Sequence, residues 1–97
     1  MKDIKIVMGK PFPNYVDISI FDFQNGKERR RAGITADFSE IDIAPYKKEG
    51  MSEDEVTAKY EEWLMNTVRR YLLDDCNIVE GKEEFLDTIR KSIKRYF

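Results

Sequence analysis

The sequence predicts an α+β domain: a three- to four-stranded antiparallel sheet in the N-terminal half, packed by two C-terminal helices in the order β-β-β(-β)-α-α. Three observations predict it. Apolar residues alternate from Tyr15 to Phe23, the period of a strand. Asn25-Gly26 then separates two extended runs, the composition of a tight hairpin. Beyond residue 50 the apolar period lengthens to three and four, behind a helix-start signal at Ser52. The 97 residues fit one domain spanning 1–97.

The first strand is expected over Asp3 to Met8, where Ile4 and Ile6 flank Lys5. Pro11 and Pro13 mark a connection, because proline cannot donate to a central ladder. In the second strand Val16, Ile18 and Ile20 share one face, and Tyr15, Asp17, Ser19, Phe21 and Phe23 share the other. Both faces carry apolar residues, so the pattern leaves open which one the helices cover. A two-residue turn at Asn25-Gly26 puts Asp22 opposite Arg29, Phe21 opposite Arg30 and Ile20 opposite Arg31. The first of these is a cross-strand ion pair; the second lays a guanidinium near a ring. The same register sets Ala32, Ile34, Ala36 and Phe38 on the face of Tyr15, Phe21 and Phe23, and Asp17 opposite Ile34. A bulge near Gly33 reconciles that conflict. Ile41 to Ala44 reads as a fourth short strand or an extended approach ended by Pro45.

Ser52-Glu53-Asp54-Glu55 is a capping box, in which the hydroxyl and the Glu55 carboxylate each satisfy the other residue's amide. Val56, Tyr60, Trp63, Leu64, Thr67, Val68, Tyr71 and Leu72 form its buried stripe, with Asn77 as a left-handed stop. Ile78 and Val79 are expected to dip into the core before a second helix over Lys82 to Tyr96, whose inner side carries Phe85, Leu86, Ile89, Ile93 and Tyr96.

Composition narrows the chemistry. The chain has no histidine and one cysteine, Cys76. That excludes imidazole catalysis, imidazole metal ligation, an internal disulfide and a thiolate zinc site. It suits a reducing compartment, and Met1 to Met8 carry alternating charges rather than the apolar run of a signal peptide. A cytoplasmic, non-enzymatic protein with no cofactor and no membrane segment is expected. Net charge is −2 and pI about 5.2, so no polyanion partner follows from bulk charge.

The candidate partner-binding residues lie on the hairpin: Phe21, Phe23, Arg29, Arg30 and Arg31. Arginine and aromatic side chains dominate interaction hot spots, and a rigid turn costs little ordering on binding. Along a strand Arg29 and Arg31 share a face while Arg30 points away. A second basic cluster, Arg90, Lys91, Lys94 and Arg95, complements the dipole at the last helix's end. A protein partner is the leading expectation. The alternative is a nucleic-acid-binding module using Lys27, Arg29 and Arg31. In general character, though on no matched residues, the chain resembles accessory proteins of phages and other mobile elements, including inhibitors of host defence nucleases.

Overall fold

The computed structural model describes all 97 residues. Three N-terminal strands come first: β1 (Lys2–Met8), β2 (Tyr15–Gln24) and β3 (Lys27–Asp37). Helices α1 (Glu40–Lys48) and α2 (Glu53–Leu72) follow, then strand β4 (Cys76–Glu80) and helix α3 (Lys82–Ile93), which ends in a 3₁₀ turn over Lys94–Tyr96. The sheet order is β3-β2-β1-β4, antiparallel except where β4 lies parallel to β1. The fold is therefore α+β, with a mostly antiparallel four-stranded sheet. No helix is long and apolar enough to cross a membrane.

Asn25 and Gly26 both take positive φ, 54° and 78°, as a type I′ turn requires. From this turn the pairing runs as the sequence predicts through Asp22↔Arg29 and Phe21↔Arg30, and then shifts: Ile20 pairs with Ala32, not Arg31. Arg31 is the extra residue of a β-bulge, two positions before the Gly33 expected from sequence. One inserted residue reverses the parity of the rest of β3. Ile34 thus pairs with Ile18 and Ala36 with Val16, while Asp17 faces Thr35 and accepts its hydroxyl at 2.8 Å. The helices cover the Val16-Ile18-Ile20 face, so Ile34, Ala36 and Phe38 join the core instead of sharing a face with Phe21.

Ile4 and Ile6 of β1 complete the sheet side of that core. Val56, Tyr60, Leu64, Val68 and Leu72 of α2 close it, with Phe85, Ile89 and Ile93 of α3. The Tyr60 hydroxyl donates to the Asp37 carbonyl at 2.6 Å, tying α2 to the end of β3, and burial pushes its pKa up. Trp63 is only half-buried, its ring stacked at 6.3 Å on Phe85. Tyr71 is 55% exposed, because Leu72, next around the helix, takes the last buried place. The α2 stop is Leu73 at φ 54°, not Asn77, which belongs to β4.

Two elements differ from the sequence expectation. Residues 41–44 lie in α1, not in a strand. Ser39 and Asp42 form a second capping box: the Ser39 amide donates to Asp42 at 2.8 Å and the Asp42 amide to the Ser39 hydroxyl at 3.3 Å. Of the two isoleucines only Ile43 faces the core; Ile41 is 84% exposed, so their alternation is no strand signal. Pro45 stands inside this short helix, where its ring forgoes one hydrogen bond. Ile78 and Val79 do not enter the core between helices. They form β4 on the sheet edge, Ile78 half-buried and Val79 exposed. Gly81 then turns the chain at φ 98°, packed so closely on the Ile6 carbonyl that a Cβ would collide with it.

Gly81→Ala should therefore cost roughly 2–4 kcal/mol, combining left-handed strain with a backbone clash. Gly26→Ala, with open space around its Cβ, should cost about 1 kcal/mol from backbone strain alone. Urea midpoints of the two variants check the contrast; equal shifts would refute it. Ser52→Ala should cost about 1 kcal/mol by removing the acceptor of the Glu55 amide, read from the same denaturation curves.

Candidate interaction surfaces at the hairpin end

The helices pack on one side of the sheet only, so the hairpin presents two different surfaces. Phe21, Phe23 and Arg30 project from the open face, while Arg29 and Arg31 project from the helix-bearing face. The five residues expected to act together are thus divided three and two. Arg31 stays on the face of Arg29 and donates to Asp22.

On the helix-bearing face Asp22 continues the series Val16, Ile18, Ile20 and is 1% exposed. Arg29 grips it with a fork, Nε to Oδ1 and Nη2 to Oδ2, both 3.1 Å. Arg31 donates Nη1 to Oδ2, and the Lys2 ammonium lies 3.6 Å from the same oxygen. Hydrogen bonding from Arg29, with a smaller part from Arg31, outweighs desolvation and holds the Asp22 carboxyl at about 2. The cover over Asp22 is itself solvent-facing, since the Arg29 side chain is 49% exposed.

On the open face Phe21 stands in register between Lys5 of β1 and Arg30 of β3, and Phe23 stands opposite Glu28. The Lys5 ammonium crosses β2 to reach Glu28 at 2.9 Å and lies 3.8 Å from Glu80, contacts that raise its pKa. The Arg30 guanidinium does not lie over the Phe21 ring. It folds over Gly33, donating Nε to the Ser19 hydroxyl at 3.4 Å, and any Cβ at Gly33 would come within 2.7 Å of it. Phe23 is 41% exposed and Val7 42%; Phe21 is half-buried. Farther along, Phe12 stacks on Tyr15 at 4.6 Å.

Lys2, Lys5 and Glu28 were not legible as site residues, although Asp22 was a signal: a carboxylate extending a buried apolar series needs a counter-charge. The two basic clusters do not converge at Arg95. That residue stands beside Glu40 and Ala44 of α1, past the far end of β3, with its guanidinium 4.9 Å from the Tyr96 ring centroid. Cys76 is buried, donates to the Asp74 carbonyl, and has its thiol pKa pushed up by burial. The largest cleft, about 580 Å³, opens where β1 and β4 diverge; Lys5 and Lys82 offset Glu80, Glu83 and Glu84 in its lining. No group of three or more Cys, Asp or Glu side chains is placed to hold a metal ion. Compared with known proteins, the chain matches no protein-family model, no curated protein and no solved structure.

Asp22 is ionised more readily in the folded chain than in the unfolded one. Its stabilisation is therefore complete above pH 3.8 and is lost as the pH falls through about 2. Asp22→Asn should cost about 2 kcal/mol at neutral pH, a charge-assisted hydrogen-bond pair. It should also make stability less dependent on pH in that acid window. Chemical denaturation across the acid range checks both; parallel pH profiles for wild type and variant would contradict the assignment.

Proposed function

We propose that the chain is a non-enzymatic interaction protein that binds a protein partner through the open face of its sheet. The observation that carries this reading is the composition of that face. Phe21, Phe23 and Val7 are interleaved with charges of both signs, Lys5 and Arg30 against Asp3, Asp17, Glu28 and Glu80. Exposed aromatic side chains beside arginine are characteristic of protein-binding hot spots, and mixed charge sets register and partner choice. The expected roles are Phe21 and Phe23 as apolar anchors and Arg30 as the polar contact between them and Ser19. Arg29 and Arg31 contribute to the partner only from the opposite side of the hairpin.

A duplex laid across the same face would meet those four carboxylates, which argues against the sheet-in-groove alternative there. Small size, a single shielded thiol and the lack of a convergent catalytic constellation fit an accessory or inhibitory protein working in the cytoplasm, of the kind mobile elements carry.

The test is a tagged pull-down from the native host with and without nuclease, using wild type and Phe23→Ser. The reading expects a nuclease-resistant partner whose affinity falls about tenfold, about 1.4 kcal/mol, in Phe23→Ser. The variant's own stability should move by only about 0.5 kcal/mol, because the ring is substantially exposed. Recovery that disappears with nuclease, or that Phe23→Ser leaves unchanged, contradicts it.

A further inference from the structure

The helix-bearing face at the hairpin end carries more positive charge than its structure requires. Lys27, Arg29 and Arg31 of β3 and Lys2 of β1 stand together there, with Asp22 the one acid they surround. Arg29 occupies both Asp22 oxygens, and Arg31 takes a second bond on Oδ2. Lys2, at 3.6 Å, is beyond good hydrogen-bond length. Lys27, exposed and two residues before Arg29 on the same face, enters no ion pair. The nearby Asp75 carboxylate is engaged by Arg69 at 3.2 Å. Locking the bulge needs Asp22 and one or two arginines. It does not need four cations around one carboxylate, whose mutual repulsion opposes folding.

The two guanidiniums are also fixed in place. Arg29 uses Nε and one Nη2 hydrogen on Asp22, which leaves Nη1 and the other Nη2 hydrogen. Arg31 uses one Nη1 hydrogen, which leaves the other together with Nε and Nη2. Free guanidinium donors are the groups that bind phosphate oxygens, and part of the ordering cost that flexible arginines pay on binding has already been met by their bonds to Asp22.

We propose that Lys2, Lys27, Arg29 and Arg31, organised around Asp22, form a phosphate-binding site at the hairpin end. The site is separate from the open face, and its occupant is a compact phosphate group, free or esterified. Asp22 is a positioning residue that aims the arginines; Lys27 and Lys2 add charge at the rim.

The test uses the full chain, labelled with ¹⁵N, titrated with inorganic pyrophosphate at constant ionic strength. The expected result is saturable shifts at the amides of residues 27–31 and Lys2 and at the Nε–H groups of Arg29 and Arg31. Arg31→Ala should weaken binding about tenfold, the effect of one charge-assisted hydrogen-bonding group. Lys27→Gln, which touches nothing structural, should weaken it about threefold and keeps the test valid if Arg31→Ala fails to fold. A short DNA duplex added to the saturated sample distinguishes the sources. Displacement of pyrophosphate from these residues assigns the phosphate to a polynucleotide; retention assigns it to a smaller ester. Shifts that grow linearly without saturation, or that appear equally at Lys91, Lys94 and Arg95, overturn the site. So does unaltered affinity in Lys27→Gln.

Discussion

The β-bulge at Arg31 is the constraint on which the rest of the structure depends. On its hairpin side β3 is a solvated ribbon of charge; beyond it, Ile34 and Ala36 are core. Were Arg31 paired in a regular ladder instead of bulged, these two would face water, and Gly33 and Thr35 would face α2 and α3, since a one-residue slip exchanges the faces of a strand. The same residue sends its guanidinium to Asp22, the carboxylate that terminates the buried series of β2. Chain topology and surface electrostatics are thus set at one position. The cost of a disrupted ladder there is offset by hydrogen bonds that a charged acceptor makes strong.

Much of this was legible in the residues. The Asn25-Gly26 turn, the Asp22–Arg29 pair and the alignment of Phe21 with Arg30 all follow from short-range backbone chemistry, which a local pattern records. The Ser52 box and the α2 and α3 stripes were legible for the same reason. The bulge was implied by conflicting parities but was expected near Gly33, two residues late, because it falls inside three identical arginines whose alternation carries no apolar signal. Helix α1 has the same cap syntax at Ser39 and Asp42 as α2 has at Ser52 and Glu55. Pro45 and the chance alternation of Ile41 and Ile43 masked it. Strand β4 depends on pairing with β1, more than seventy residues earlier in the chain, and no five-residue run can declare so distant a partner.

The division of the hairpin into two surfaces changes what its arginines can do. Three consecutive arginines look like one cluster on paper. In the fold, Arg30 lies over Gly33 among the open-face aromatics, and its neighbours converge on a buried acid behind the sheet. The open face mixes rings with both signs of charge, whereas the opposite end gathers cations around one carboxylate. These are different chemistries, and the protein-binding and phosphate-binding readings stand or fall separately.

The bulge's role is tested most directly by deleting Arg31 and comparing the unfolding midpoint with that of Arg31→Ala. Substitution keeps the chain length and the bulge, so it should lower the midpoint modestly, by the loss of one partner of Asp22. Deletion removes only the unpaired residue and leaves Ala32, Ile34 and Ala36 opposite Ile20, Ile18 and Val16, so the core is kept and the variant should unfold cooperatively near the midpoint of Arg31→Ala. A deletion variant that loses cooperative unfolding would contradict the account, because that is the outcome for an Arg31 paired in a regular ladder, whose removal would turn Ile34 and Ala36 out of the core.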